Sequence, residues 1–245
     1  MRTNRLPFIL AVLVLMLSGC KANEDAKPTK PDDSTPARSA EPAPVAAPAM
    51  PAVADSRPLL VCFGDSLTAG YGTEAGQSYP DYLQANLDAK GYHYRVVNEG
   101  VSGATSKDGV TRLAEILAMK PTVVVVEFGG NDGLRGLPVA DMRTNLDTMV
   151  SALKASGAKV VIAGITLPPD YGPDYINQFA ASYPLLAKKY RVPIVPFILQ
   201  GVFGVPGMMQ EDKTHATAKG NEIVAKNILP MVTPLLKKIA NPSPR

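Results

Sequence analysis

Leu59-Leu60-Val61-Cys62-Phe63 is a run of five consecutive apolar residues. A strand made from it has no face to turn to water, so it must lie in a sheet covered on both sides, as parallel sheets with crossover helices are. Further apolar runs near 94–98, 122–128, 159–165 and 193–197 bring the expected strands to five. Segments of helical periodicity separate them. Tyr79 to Lys90 presents Tyr82, Leu83 and Leu87 and stops at Gly91, and the stretch after Ser106 presents Val110, Leu113, Ile116 and Leu117. Asp141 reads as an N-cap ahead of Met142, Leu146, Met149, Val150 and Leu153. A fourth helix is expected over 174–190 and a last one over 217–239, which Pro230 and Pro234 should kink or divide. The alternation predicts an α/β fold: one three-layer, flavodoxin-like domain over 59–245. Its five-stranded parallel sheet has the order 2-1-3-4-5, with helices on both faces.

Open sheets of this kind bind ligands at the C-terminal ends of their strands. Ser66 follows the first strand, Gly103 the second, Asn131 the third and Pro168-Pro169 the fourth, while Asp212 and His215 precede the last helix. A serine hydroxyl attacks poorly until a base takes its proton, and a histidine does this best when a carboxylate fixes its tautomer. Asp212-Lys213-Thr214-His215 sets an acid three residues before an imidazole, within reach of a short loop or one helical turn. By position Asp212 orients, His215 is general base and then acid, and Ser66 attacks. A histidine at a helix start also serves as a cap or a surface residue, and that alternative stands beside the catalytic one.

An oxyanion needs fixed donors. Glu127-Phe128-Gly129-Gly130-Asn131-Asp132-Gly133 supplies the Asn131 amide, and Asn98-Glu99-Gly100-Val101-Ser102-Gly103 supplies a backbone N–H at Gly103. Gly and Asn also occur in turns for conformational reasons alone. Leu167, Pro168 and Tyr171 after the fourth strand, and Phe197, Met208 and Met209 after the fifth, could wall an acyl groove or simply pack under the last helix. His93, in Lys90-Gly-Tyr-His-Tyr94, reads as a solvated turn residue. His-Glu-x-x-His and Cys-x-x-Cys spacings are absent, so neither metal nor cofactor is expected, and Gly64–Gly70 lacks the lysine of a phosphate-binding loop. No Gly-x-Ser-x-Gly elbow surrounds Ser66, which argues against the larger α/β-hydrolase fold.

Gly64-Asp65-Ser66-Leu67, Gly103, Gly130-Asn131-Asp132 and Asp212-x-x-His215 resemble the four blocks of the SGNH (GDSL) hydrolases, most closely the bacterial thioesterase I, arylesterase and lysophospholipase L1 group. The likeness extends through Glu127–Gly136, Leu167–Gly172 and Val192–Phe197. It implies the SGNH-hydrolase fold, with Ser66 as nucleophile and N–H donor, Gly103 and Asn131 as the other oxyanion donors, and Asp212 and His215 completing a triad. Where the family usually has Pro-Asn after its histidine, this chain has Ala216-Thr217. The expected function is a serine esterase acting on acyl esters or lysophospholipids through an acyl-enzyme. Two alternatives are a carbohydrate or peptidoglycan O-acetyl esterase of the same fold and a non-catalytic lipid-binding envelope protein.

The N-terminus reads as an address. Arg2 and Arg5 precede a 12-residue apolar run, Leu6 to Leu17, too short for a spanning helix of about 20 residues. Leu17-Ser18-Gly19-Cys20 resembles the bacterial lipobox, implying a signal peptide over 1–19 and lipidation of Cys20. Residues 20–58 carry no aromatic residue and much Pro, Ala and charge, a composition expected to remain disordered. Such a linker reaches on the order of 100 Å when extended. The expected setting is the bacterial cell envelope, on a membrane facing the periplasm. Lys21, in place of the aspartate associated with inner-membrane retention in enteric bacteria, favours the outer membrane. Cys62 reads as a buried apolar residue, so no disulfide is expected. The formal charge of +3 falls to +1 once Arg2 and Arg5 leave, giving no electrostatic footprint for nucleic acid, and a monomer is expected.

Overall fold

A computed structural model describes residues 55–238. The expected signal peptide, Cys20 and the linker as far as residue 54 lie outside the described residues. Five parallel strands, β1 (Leu59–Gly64), β2 (Arg95–Gly100), β3 (Val123–Glu127), β4 (Lys159–Ala163) and β5 (Ile194–Val195), form one sheet. Their order is β2-β1-β3-β4-β5, as the sequence predicts. The central pair is buried from Leu60 through Glu127's end of β3, because Leu60–Phe63 and Val123–Val126 have apolar side chains on both faces. Cys62 lies among them, fully buried, and its burial pushes the thiol up to about 12.

The helices are α1 (Ser66–Ala69), α2 (Tyr79–Ala89), α3 (Ser106–Ala118), α4 (Gly130–Leu134), α5 (Val139–Ala155), α6 (Pro173–Tyr190) and α7 (Ala218–Val232). One layer pairs α2 with α7, and the other packs α3 on α5 and α5 on α6. Among the described residues no helix is long and apolar enough to cross a membrane.

Several boundaries differ from expectation for local reasons. The strand expected over 193–197 shrinks to Ile194–Val195, because Pro193 and Pro196 have no N–H to give a ladder. The helix assigned an Asp141 cap begins at Val139 after Pro138, and Asp141 instead sits in the first turn, where its charge suits the helix N-terminus. The last helix does not run to 239: it ends at Val232 and tightens into a 3-10 turn over Thr233–Leu235, with Pro230 held inside α7.

Register aligns the strand ends that matter. Gly64 lies opposite Gly100 of β2 and Glu127 of β3, so the loops after β1, β2 and β3 leave the sheet at one level. A side chain at Gly64 would force its neighbours to shift, since its Cβ would meet the Glu127 carbonyl oxygen at 2.6 Å and Thr68 Oγ1 at 2.1 Å. That closeness brings α1 directly over the exit of β3.

Candidate active site

Ser66 opens α1 immediately beyond β1, with Asp65 capping the turn by accepting the Leu67 N–H at 3.0 Å. His215 comes from the loop before α7. Its Nε2 lies 2.8 Å from Ser66 Oγ, across 149 residues of sequence. Its Nδ1 lies 2.6 Å from Asp212 Oδ2. Asp212 Oδ1 meanwhile accepts the N–H groups of Thr214 (2.9 Å) and His215 (3.0 Å), which folds the Asp-x-x-His segment into a turn and holds acid and ring together. Burial raises the Asp212 carboxyl, but the hydrogen bonds from the His215 ring and from these N–H groups outweigh it, and the net shift is downward.

The loop is pinned from outside. Gln210 donates its N–H to the His215 carbonyl at 2.8 Å and its side-chain amide to the Tyr71 carbonyl at 2.7 Å, and the Tyr71 ring lies against the imidazole with centroids 4.6 Å apart. At the departure from the family pattern, Ala216 pairs with Met209 across a β-bridge and Thr217 caps α7 by accepting the Gly220 N–H at 3.3 Å. A cap and a bridge stand where a proline would otherwise stiffen the turn.

Neither the Ser66 nor the Gly103 N–H has an acceptor among the described residues. Gly103 has φ +81°, a conformation that glycine adopts without strain, and the Arg135 guanidinium donates to its carbonyl at 2.8 Å. Asn131 is differently placed. Its Nδ2 already donates to Asp65 Oδ2 (3.1 Å) and to the Ala104 carbonyl (3.0 Å), so it can hold an oxyanion only by sharing one of these hydrogens.

Behind Asn131 sits a feature to which sequence reading assigned no role. The carboxyl groups of Asp65 and Glu127, 2% and 1% exposed, lie together in the core, where each acts on the charge of the other. Glu127 Oε2 accepts the Thr68 hydroxyl at 2.8 Å and the Asp65 N–H at 3.3 Å, while Oε1 is buried with no donor. Burial raises both groups, Asp65 to about 6 and Glu127 well above the usual carboxylate range, the latter raised further by the Asp65 charge. Glu127 is thus raised the more strongly of the two, and its Oε1 is the carboxyl oxygen of the pair left without a partner among the described residues. An acid closing the most β-branched run of the chain was the available signal.

A cavity of about 610 Å³ opens beside Ser66, Gly103, Asn131 and His215. Of the six residues named for an acyl groove, Leu167, Pro168 and Phe197 line it. Tyr171, Met208 and Met209 do not: Tyr171 turns its hydroxyl to the Leu134 carbonyl at 2.8 Å, and the two methionines belong to the strand-like segment that closes the histidine loop. Tyr71, Leu134, Ile165, Leu199 and Phe203 complete the wall instead. Among the described residues, no cluster of three or more His, Cys, Asp or Glu side chains is arranged to hold a metal ion.

A parallel three-layer sheet that delivers a serine, an imidazole and a carboxylate in hydrogen-bonded series to an apolar cavity defines a hydrolase of the flavodoxin-like class. The chain belongs to the GDSL-like Lipase/Acylhydrolase family, whose sequence model matches residues 62–223. It is 45% identical over 178 residues to Esterase TesA of Pseudomonas aeruginosa, spanning 72% of this chain and 89% of that protein. It is 37% identical over 178 residues to Thioesterase 1/protease 1/lysophospholipase L1 of Escherichia coli K12, spanning 72% and 84%. A crystal structure of TesA superposes with a TM-score of 0.70 at 45% identity, covering 73% of this chain and 99% of that one.

Proposed function

We propose that this protein is a serine esterase that hydrolyses medium- or long-chain acyl esters, lysophospholipids among them, through an acyl-enzyme. The observation that carries the reading is the continuous hydrogen-bond series Ser66 Oγ, His215 Nε2, His215 Nδ1, Asp212 Oδ2, at 2.8 and 2.6 Å, on the wall of an apolar cavity. Ser66 Oγ attacks the acyl carbonyl carbon as its proton passes to His215 Nε2, and Asp212 offsets the imidazolium charge. The N–H groups of Ser66 and Gly103 receive the oxyanion, with the Asn131 amide turning one hydrogen from its present acceptor. Collapse expels the alcohol, which takes the proton from His215. Water, deprotonated by the same nitrogen, then releases the carboxylic acid.

The names of the relatives, esterase and thioesterase/lysophospholipase, support the class of bond. The cavity's size and its Leu, Ile, Pro and Phe walls support an acyl chain over acetyl, and so weigh against the O-acetyl esterase alternative. We place the mature protein on a periplasm-facing membrane through a lipid on Cys20, with the outer membrane favoured, on the strength of the leader, lipobox and linker. An ester series from acetyl to palmitoyl tests the substrate reading: rising kcat/KM to at least medium chains is expected, and a sharp acetyl preference overturns it. Labelling of Ser66 by a fluorophosphonate separates an enzyme from a lipid carrier. The intact mass of the mature N-terminus tests the anchor.

A further inference from the structure

Seven large apolar side chains are exposed among the described residues, and six of them lie on the cavity wall or within three residues of it in sequence. Tyr71, Leu134 and Phe203 stand on the cavity wall, with Tyr71 and Phe203 more than half exposed, and Val101, Leu137 and Val205 each lie within three residues of a wall residue. The seventh, Leu185, lies on α6, away from the cavity. Single exposed apolar residues are ordinary on any surface, but a set collected around one opening is not. Leu134 ends α4, and the other five come from four separate connections, after α1, β2, α4 and β5, so no one amphipathic element accounts for them. Three exposed on the wall and three exposed next to it in sequence, they mark an apolar collar at the mouth.

We infer that this collar is a lipid-docking surface, which seats the mouth of the cavity in a bilayer so that an acyl chain passes from membrane to cavity without crossing water. The inference rests on the acyl-ester reading above and sharpens it, from esters in general to acyl lipids held in a membrane. A lipid surface fits the collar better than a second copy for two reasons. Residues 20–58 have the composition of a Pro-rich linker, for which a reach on the order of 100 Å is expected, and they open on Cys20, so the lipidation proposed above would keep the domain within reach of a bilayer. The cations Lys213 on the wall and Arg135 beside it are offset by the exposed carboxylates Asp170, Glu211 and Asp212, so the collar carries no positive patch for anionic lipid. Its attraction to a bilayer is therefore apolar, and zwitterionic lipid should suffice.

The chain contains no tryptophan, which makes the test direct. Val101→Trp, Leu137→Trp and Val205→Trp each place a lone reporter on the collar of the full-length mature protein, and Leu185→Trp places one elsewhere. The four are reconstituted in phosphatidylcholine vesicles with plain or brominated acyl chains, at low and at high salt. The anchor holds all four alike, so differences among them report the collar. Expected are a blue-shifted emission and quenching by brominated lipid at the three collar positions, unchanged by salt, and neither at 185. Equal quenching at all four positions, or none at any, overturns the inference. So does a collar emission that is already blue without vesicles and varies with protein concentration, which would assign the face to a second copy. In parallel, the combined variant Val101→Ser, Leu137→Ser, Val205→Ser should lose about tenfold or more in hydrolysis of vesicle-borne lysophospholipid while soluble p-nitrophenyl butyrate turnover changes less than about twofold. Equal loss on both overturns docking. A wild-type protein that hydrolyses neither substrate but still shows the collar quenching would sink the esterase reading and leave docking standing.

Discussion

Asp212 uses its two oxygens for different tasks, one to build a turn and one to hold an imidazole, and this is why three residues of spacing suffice to bring acid and base together. The hydrogen-bonded series of Ser66, His215 and Asp212 was legible for that reason: Asp-x-x-His is local, and Ser66 is marked by the strand it ends. Ser66→Ala and His215→Ala should each lower hydrolysis of p-nitrophenyl esters by about a thousandfold or more, with melting temperatures close to wild type. The Asp65–Glu127 pair was not legible as a pair, because it depends on the register that sets Gly64 opposite Glu127. Its consequences are specific. In Glu127→Gln the amide oxygen can still accept from the Thr68 hydroxyl and the Asp65 N–H, so kcat should stay within about threefold, whereas Glu127→Leu removes both bonds and should cost about tenfold or more. The pair also has a sign in stability. Folded Asp65 and Glu127 bind protons that the unfolded chain has released, so stability falls as pH rises from about 4 through Asp65's value of about 6 and into Glu127's higher range. Urea unfolding across that interval should show a shallower fall for Glu127→Gln. Groups facing the pair, Thr68, Tyr79 and Tyr183, are neutral there, burial having raised both phenols well above their ordinary range.

Among elements, the alternation of apolar runs with amphipathic stretches carried the sheet order and five of the seven helices, because two-sided burial leaves few other arrangements. It missed α1 and α4, single turns of four and five residues that carry Ser66 and Asn131 and have no room for a period. It overestimated β5, where prolines at both ends stop the ladder. The start of α7 shows an element acting on the site. Thr217, two residues past His215, caps the helix with its hydroxyl. Thr217→Ala should cost about 1 kcal/mol in denaturant unfolding and lower kcat more than it changes KM, as the histidine loop loosens. At the other end of the site, Gly64→Ala forces a methyl against the Glu127 carbonyl and should cost about 1–3 kcal/mol or more, with lowered expression as the first sign.

At the scale of the molecule, the cavity is assembled from loops after all five strands, and its wall was legible only where a loop is itself apolar, as at Leu167, Pro168 and Phe197. Tyr71, Leu134 and Phe203 are isolated in sequence and meet only through topology. Leu167→Trp fills part of the 610 Å³ and should reduce kcat/KM for palmitoyl esters by about tenfold or more, with acetyl esters little changed, in the same chain-length series. Cys62 gives the assembled domain a different property. Its thiol sits on β1, with strands on either side and no exposure, so a reagent reaches it only when the sheet itself comes apart. Alkylation at residue 62 thus counts complete openings of the domain and ignores breathing of its loops.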